Sequence, residues 1–163
     1  MQDILIINTG GTFNKVYNKV TGTLDIDTSN SALKSIEKEW LCKLNYFNII
    51  NKDSLDFTTS DREELLKAIK SSDFKKIVVI HGTDTIDISA KFVADANLDK
   101  TIVFTGAMKP FSIDKIEATA NLSLALGFCK LALKGVYIAL NGVVDRFDRV
   151  IKNKRVGKFE YKA

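Results

Sequence analysis

The feature that most constrains the fold is a series of five apolar, β-branched-rich runs of strand length, separated by segments with helical spacing. The runs are Ile4 to Asn8, Tyr46 to Ile50, Ile77 to Ile80, Thr101 to Phe104 and Val136 to Leu140. Continuous apolar runs are typical of strands that are buried on both faces of a sheet. Strands that alternate with helices predict right-handed crossovers. The sequence therefore predicts a single doubly wound α/β domain, with a mainly parallel sheet flanked by helices.

Four segments between these runs have apolar residues at helical spacing. They are Ala32 to Leu44, about Asp61 to Ser71, Ile86 to Ala96 and about Ile116 to Leu133. The second segment begins with the capping-box pattern of Ser60 to Glu63. The stretch from Phe13 to Asn30 is the least regular and is too long for an ordinary βα loop. We expect it to form a lid over a site.

Composition and charge exclude several classes of protein. The 163 residues are 45% hydrophobic and 27% charged, an ordinary mixture for one globular domain. No apolar run is long enough to span a membrane and no signal-peptide pattern precedes the first strand, so we expect a cytoplasmic protein. The net charge is +4, and seven basic residues fall in the last 18 positions: Arg146, Arg149, Lys152, Lys154, Arg155, Lys158 and Lys162. No aromatic stacking pattern accompanies them, which favours a solvated surface strand or tail over a nucleic-acid partner.

Few side chains suit metal, redox or cofactor chemistry. Cys42 and Cys129 each lie in an apolar helical pattern without a close Cys or His, and we expect reduced, buried thiols. The sole histidine, His81, is not accompanied by the Gly-x-Ser-x-Gly motif of a Ser-His-Asp hydrolase, so we favour a structural role for it. Scattered carboxylates give no metal-ligand cluster, and Gly10-Gly11 lacks the spacing of a dinucleotide loop. The sequence predicts neither a metal nor a cofactor.

Polar motifs follow the predicted strands at their carboxyl ends, where ligands bind in such sheets. They are Asn8 to Thr12 after the first strand, His81 to Thr85 after the third, Thr105 to Pro110 after the fourth and Asn141-Gly142 after the fifth. Each motif alone is explained by a tight turn or a helix N-cap. Together they supply hydroxyls, a carboxylate, lysines and glycine-rich backbone. This set suffices for a hydroxyl nucleophile to cleave an amide.

The motifs resemble those of the bacterial-type L-asparaginases and glutaminase-asparaginases. The matching segments are Thr9 to Thr12, Asp53 to Phe57, His81 to Thr85, Gly106 to Pro110, Asn121-Leu122 and Asn141 to Lys152, in family order over nearly the whole chain. The resemblance implies hydrolysis of L-asparagine, or of a related small side-chain amide, to aspartate and ammonia through an acyl-threonine intermediate. It also implies that residues 1–163 form the N-terminal-type domain of these enzymes, without their smaller C-terminal domain.

The resemblance also implies a role for each residue of the site. Thr12 would be the nucleophile, and Thr83, Asp84 and Lys152 would be the second hydroxyl, the acid and the base around it. Tyr17 would be a proton partner on the loop after the nucleophile. The substrate would be contacted by Gly11, Ser54, Gly82, Asp84 and Ala107. Among these, Ser54 would bind the carboxylate of the substrate, and Asp84 would face the ammonium group of the substrate.

Two classes of function stay open at this stage. One is the amide hydrolase, and the other is a non-catalytic protein that binds asparagine or aspartate or has a regulatory role. The joint presence of Thr12, Thr83, Asp84 and Lys152 favours the hydrolase, because a binding protein needs no lysine placed to activate a hydroxyl. With one domain only, either a second copy of the chain covers the strand ends or the site stays open to water. We therefore expect a homo-oligomer with weaker selectivity than a two-domain enzyme.

Overall fold

The computed structural model describes residues 3–162 and contains alternating strands and helices. In chain order the elements are β1 (Ile4–Gly10), β2 (Lys15–Tyr17), β3 (Leu24–Ile26), α1 (Ser31–Trp40), β4 (Asn45–Lys52), α2 (Thr59–Ser71), β5 (Lys76–Ile80), α3 (Ile86–Ala94), β6 (Thr101–Thr105), α4 (Lys115–Leu131), β7 (Gly135–Leu140), β8 (Val143–Arg146), β9 (Val150–Asn153) and β10 (Lys158–Tyr161). Each of the five predicted strands and four predicted helices is present.

Six of these strands form one sheet in the order β4-β1-β5-β6-β7-β8. The first five are parallel to one another, and β8 runs antiparallel to β7. The prediction of a mainly parallel sheet flanked by helices is confirmed. Asn141 and Gly142 form the two-residue turn between β7 and β8, where both have positive φ angles, of 53° and 81°. Tight hairpin turns need this geometry, and Asn-Gly is the pair that adopts it most easily.

Both faces of the sheet are covered, which explains why the strand sequences are continuously apolar. Ile4 and Ile6 of β1 pack in a cluster with α1 and α4, whereas Leu5 and Ile7 pack with α2 and α3. Successive side chains of a strand point to opposite faces, so a strand covered on both sides needs apolar residues at every position. Cys129 of α4 is fully buried as expected, and burial raises the pKa of its thiol to about 11.

The crossover through α4 has the opposite hand to the other three. The steps from β5 to β6 and from β6 to β7 cross the sheet in the same direction, but α3 and α4 lie on opposite faces. The step from β1 to β4 crosses the sheet in the opposite direction and uses the face that α4 covers. The step from β4 to β5 crosses in the same direction as the step through α3 and uses the same face as α3. Both crossovers therefore have the same hand as the one through α3. Parallel crossovers are right-handed almost without exception. The prediction of right-handed crossovers is therefore wrong for α4, which makes a left-handed one.

Two predicted helix boundaries are wrong for local reasons. Helix α1 ends at Trp40 rather than Leu44, because Leu41 adopts the left-handed conformation with φ 52°. The half-buried Cys42 therefore lies beyond the helix rather than within it. The capping box of α2 joins Thr58 to Asp61, not Ser60 to Glu63: the Asp61 carboxylate accepts from the Thr58 N–H at 2.7 Å and the Thr58 hydroxyl accepts from the Asp61 N–H at 3.2 Å. Helix α2 accordingly begins at Thr59.

The stretch from Phe13 to Asn30 is more regular than expected. A 3₁₀ turn over Thr12–Asn14 is followed by the antiparallel hairpin of β2 and β3. An ion pair of 2.6 Å between Lys15 Nζ and Asp53 Oδ2 ties the hairpin to the loop after β4. The basic C-terminal segment also forms a hairpin, of β9 and β10, rather than a tail. Within residues 3–162, no helix is long and apolar enough to cross a membrane.

Candidate active site

Thr12 lies at the carboxyl end of β1, in a turn that its neighbours hold from both sides. Phe13 is fully buried beneath the turn. The side-chain amides of Asn8 and Asn14 pair with each other, with Nδ2 to Oδ1 distances of 2.9 and 2.6 Å, and Asn14 Nδ2 also donates to the Gly10 carbonyl at 2.8 Å. Thr12 itself is only half-buried. The turn therefore presents the Thr12 side chain at the sheet edge on a fixed backbone.

A close backbone contact joins this turn to the one after β5. A Cβ atom added to Gly11 would lie 2.5 Å from the Gly82 nitrogen, and Gly11 also has a φ of 72° that other residues rarely adopt. A Cβ added to Gly82 would lie 2.6 Å from both Cβ and Oγ of Ser54. Only glycine fits either position. The absence of side chains at these two glycines lets the loops that carry Thr12, Ser54 and Thr83 meet.

Lys152 is hydrogen-bonded to two of the predicted site residues. Its Nζ donates to Thr83 Oγ1 at 2.7 Å and to Asp84 Oδ1 at 2.8 Å. The Lys152 side chain is 15% exposed and that of Asp84 is 37% exposed. Lys152 reaches these partners from β9, so residues 68 and 69 positions apart in the chain meet at one edge of the sheet. The structure thus brings the predicted hydroxyl, acid and base into direct contact.

Ser54 lies beside this cluster, in a 3₁₀ turn over Ser54–Asp56 that follows β4. It is buried, and its Oγ accepts a hydrogen bond from the Asp84 N–H at 3.3 Å. The Thr85 hydroxyl donates to the Ser54 carbonyl at 2.7 Å. Because its oxygen is the acceptor, the Ser54 hydroxyl keeps its own proton to donate. That proton suits an anionic group such as a carboxylate.

Two other predicted residues, Ala107 and Tyr17, take no part in these hydrogen bonds. Ala107 is fully buried in the loop after β6. Tyr17 lies in β2, is 60% exposed and pairs through its backbone with Leu24. Within residues 3–162, no hydrogen bond joins the Tyr17 hydroxyl to Thr12, Thr83 or Lys152. A role for Tyr17 in proton transfer stays a prediction.

His81 lies behind the site in an apolar setting. It is fully buried, with the Phe57 ring centroid 4.5 Å and the Phe104 centroid 6.0 Å away. Burial lowers the pKa of its imidazole to about 4, so the ring is neutral near pH 7. Its Nδ1 lies 2.8 Å from the Gly82 carbonyl, which can only accept, so Nδ1 carries the proton. This geometry supports the structural role favoured from the sequence.

Two residues of α4 fix the loops after β6 and β7: sequence reasoning missed Glu117, and it placed Asn121 in a matching segment without giving it a role. The Glu117 carboxylate accepts from the N–H groups of Met108 and Lys109, at 2.9 and 3.0 Å. Asn121 donates to the Gly106 carbonyl at 2.9 Å and accepts from the Asn141 N–H at 2.8 Å. Glu117 and Asn121 are four residues apart on α4, and this spacing is the signal that could have identified them as a pair on one helix face.

A cavity of about 530 Å³ is lined in part by Lys152 and Asp84. It lies between the start of α3 and the β9–β10 hairpin, with Ile138, Val150 and Phe159 among its lining residues. Neither Thr12 nor Thr83 is among the described residues that line it. The cavity therefore borders the Lys152–Asp84 pair and not the turn that carries Thr12.

The fold and these contacts define a class of protein. The chain is an α/β protein whose strand ends hold a hydroxyl-rich turn beside a second hydroxyl, a lysine and a carboxylate in contact. This arrangement suits nucleophilic attack by a hydroxyl on a carbonyl carbon.

The family model for the N-terminal domain of asparaginases matches residues 3–160, so the chain belongs to the asparaginase family. It is 28% identical to L-asparaginase 2 of Bacillus subtilis over 97% of this chain and 44% of that protein. The thermostable L-asparaginase of Thermococcus kodakarensis superposes with a TM-score of 0.83 at 25% identity, over 99% of this chain and 51% of that one. A probable cytoplasmic L-asparaginase of Campylobacter jejuni gives 0.78 at 25% identity, over 99% and 53%. The chain thus spans about half the length of these relatives.

Proposed function

We propose that the chain hydrolyses the side-chain amide of L-asparagine, or of a related small amino-acid amide, to the acid and ammonia. The observation that carries the proposal is the contact of Lys152 with both Thr83 and Asp84, beside the turn of Thr12. A protein that only binds an amino acid has no need of a lysine that is 15% exposed and hydrogen-bonded to a hydroxyl and a carboxylate. Family membership supports the same reaction.

In the proposed reaction Thr12 is the nucleophile. Its Oγ1 forms a bond to the amide carbon, the carbon–nitrogen bond breaks, and the nitrogen leaves as ammonia after taking up a proton. Water then hydrolyses the acyl-threonine ester and restores the Thr12 hydroxyl. Thr83, Asp84 and Lys152 carry protons to and from the reacting atoms, and the hydrogen bonds of Lys152 to Thr83 and Asp84 support their acting together. Tyr17 is proposed as a further proton partner that moves toward Thr12 when substrate binds.

The proposed substrate contacts follow from the polar groups near these hydrogen bonds. Ser54 donates to the substrate carboxylate, and the carboxylate of Asp84, which is 37% exposed, faces the ammonium group. The backbone at Gly11, Gly82 and Ala107 lines the space for the side-chain amide. Backbone N–H groups at glycine-rich turns also stabilise a developing oxyanion.

Three broader features are proposed alongside the reaction. We propose that residues 1–163 form one N-terminal-type domain, that the protein acts in the cytoplasm, and that it assembles as a homo-oligomer. The cytoplasmic proposal is supported by the similarity to the probable cytoplasmic L-asparaginase of Campylobacter jejuni. Light scattering on the purified chain tests the oligomer, and a strictly monomeric, active protein contradicts it.

Replacement of the Thr12 hydroxyl tests the reaction. We expect Thr12→Ala to abolish ammonia release from L-asparagine while circular dichroism stays unchanged, and Thr12→Ser to retain part of the activity because it keeps a hydroxyl. Thr21→Ala, which removes an exposed hydroxyl from the loop between β2 and β3, is the matched control. Turnover by Thr12→Ala near the wild-type rate would show that another group is the nucleophile. Binding of asparagine by the wild type without turnover would instead support the non-catalytic alternative.

A further inference from the structure

Arg62 is a buried charged residue that the proposed reaction does not use. It lies on α2 and is 9% exposed. Within residues 3–162, no ion pair joins Arg62 to a carboxylate. Burying a cation without an anionic partner costs free energy. Such a residue is retained where its hydrogen bonds and its electrostatic field stabilise other groups of the protein or a ligand.

Neutral acceptors surround the Arg62 guanidinium. Its Nε donates to Ser89 Oγ at 3.2 Å, and its Nη1 donates to the Phe57 and Thr58 carbonyls, each at 3.1 Å. The guanidinium carbon also lies 5.9 Å from the Phe57 ring centroid. These hydrogen bonds fix the orientation of the planar guanidinium group. Because the acceptors are neutral, they do not compensate its positive charge.

The Arg62 guanidinium group is also linked to the candidate site through the hydroxyl of Thr85. Arg62 Nη2 donates to Thr85 Oγ1 at 3.4 Å, and the same oxygen donates its proton to the Ser54 carbonyl at 2.7 Å. The bond from the cation polarises the Thr85 hydroxyl and makes it a better donor. Thr85 has one hydroxyl proton, and the Arg62 bond directs that proton to Ser54. Arg62 is therefore connected to the residue whose free proton suits a carboxylate.

We infer that Arg62 is a positioning residue for the α-carboxylate of the substrate. It holds Ser54 in place through Thr85, and its buried charge makes the electrostatic potential at the Ser54 loop more positive, which favours an anion. Little water separates this charge from the loop, so the potential is weakly screened. The inference rests on the proposed function, because it assigns Ser54 to the carboxylate. It adds that binding, rather than the chemical step, depends on Arg62.

The test compares two substrates that differ only in the carboxylate. We expect Arg62→Met to raise KM for L-asparagine about tenfold and to change kcat by less than about threefold, because binding is weakened in ground state and transition state alike. KM for L-asparagine α-methyl ester, which keeps the side-chain amide and lacks the anion, should hardly change. Arg62→Lys keeps the charge and should recover part of the loss. Lys67→Met, which removes an exposed charge from the same helix, should leave both substrates unaffected.

A merely structural role gives a different result. If Arg62→Met raises KM equally for both substrates, or lowers kcat as its main effect, the charge has no special relation to the carboxylate and the inference is wrong. An unchanged KM for L-asparagine also overturns it. If Arg62→Met does not fold, Thr85→Val tests the same link by removing the bridging hydroxyl at nearly constant volume. KM for L-asparagine should again rise, and KM for the α-methyl ester should again hardly change.

Binding measurements separate this inference from the proposed function. Calorimetric titration with L-aspartate needs no turnover, so it applies to a wild type that proves inactive. Binding of L-aspartate that Arg62→Met weakens about tenfold would support the inference and leave catalysis as the failed proposal. A wild type that neither hydrolyses asparagine nor binds aspartate contradicts both.

Discussion

At the scale of single residues, the sequence identified the groups that meet at the site but not those that support them. Thr83, Asp84 and Lys152 were predicted from motifs in separate parts of the chain, and they are hydrogen-bonded in the structure. Thr85 was included in a motif without a supporting role, and Arg62 was missed, since an arginine on a helix usually indicates a solvated surface. Its burial follows from packing against Phe57 and Ser89, which only the fold brings together.

Lys152 is the residue whose replacement should separate chemistry from binding. Lys152→Met keeps most of the side-chain volume but removes the charge and both hydrogen bonds. We expect the single-turnover rate to fall by about a hundredfold or more, with a much smaller change in substrate affinity. Rapid-quench measurement of ammonia release at saturating asparagine checks this. Lys154→Met, an exposed neighbour two positions on, is the control, and equal effects of the two variants would contradict a role for Lys152 in proton transfer.

At the scale of elements, apolar runs predicted the strands and helices well, and local chemistry decided where they end. The β2–β3 hairpin could not be predicted, because strands of three residues are too short for alternation to show. The left-handed crossover through α4 was equally hidden. Both faces of the sheet are apolar, so the pattern of β6 and β7 does not indicate which face a helix will cover.

The contact between the turns after β1, β4 and β5 is an element-scale feature that one methyl group should disturb. Gly82→Ala would place a Cβ 2.6 Å from Ser54 Cβ and Oγ. We expect it to lower the free energy of unfolding by about 1–3 kcal/mol and to impair hydrolysis, because the Ser54 loop must move. Gly127→Ala on α4 is the control: its Cβ meets no atom within 4 Å, and it should stabilise the helix by about 0.5–1 kcal/mol. Urea unfolding of both variants checks the prediction, and a Gly82→Ala protein as stable as the wild type would contradict the close approach.

At the scale of the whole molecule, the sequence predicted an α/β sheet covered on both faces and a site at its carboxyl edge. These follow from general rules about parallel sheets, which is why composition and spacing sufficed. The burial of one ionisable group within that core was harder to predict, because it depends on which side chains enclose it. His81 is the sole histidine, and Phe57 and Phe104 pack against it from different parts of the chain.

The burial of His81 should make the stability of the whole molecule depend on pH. Its pKa falls from 6.5 to about 4 in the folded protein, mainly because burial disfavours the charged ring. Between these two values the unfolded chain binds a proton that the folded protein does not, so the free energy of unfolding decreases as the pH falls. The full stability is present above pH 6.5, and about 3 kcal/mol is lost by pH 4 at about 1.4 kcal/mol per unit.

Urea unfolding at pH 7.5, 6.5, 5.5 and 4.5 measures this dependence. Asp27 and Asp61 have pKa values lowered from 3.8 to about 2 in the folded protein. The stability that they contribute is therefore lost at lower pH than the stability that depends on His81. His81→Gln removes the titrating group, and although the variant should be less stable at pH 7.5, its curve should be nearly flat from pH 6.5 to 4.5. A wild type whose free energy of unfolding is constant over that range would contradict a neutral, buried imidazole. An equal slope in wild type and variant would assign the dependence to other groups.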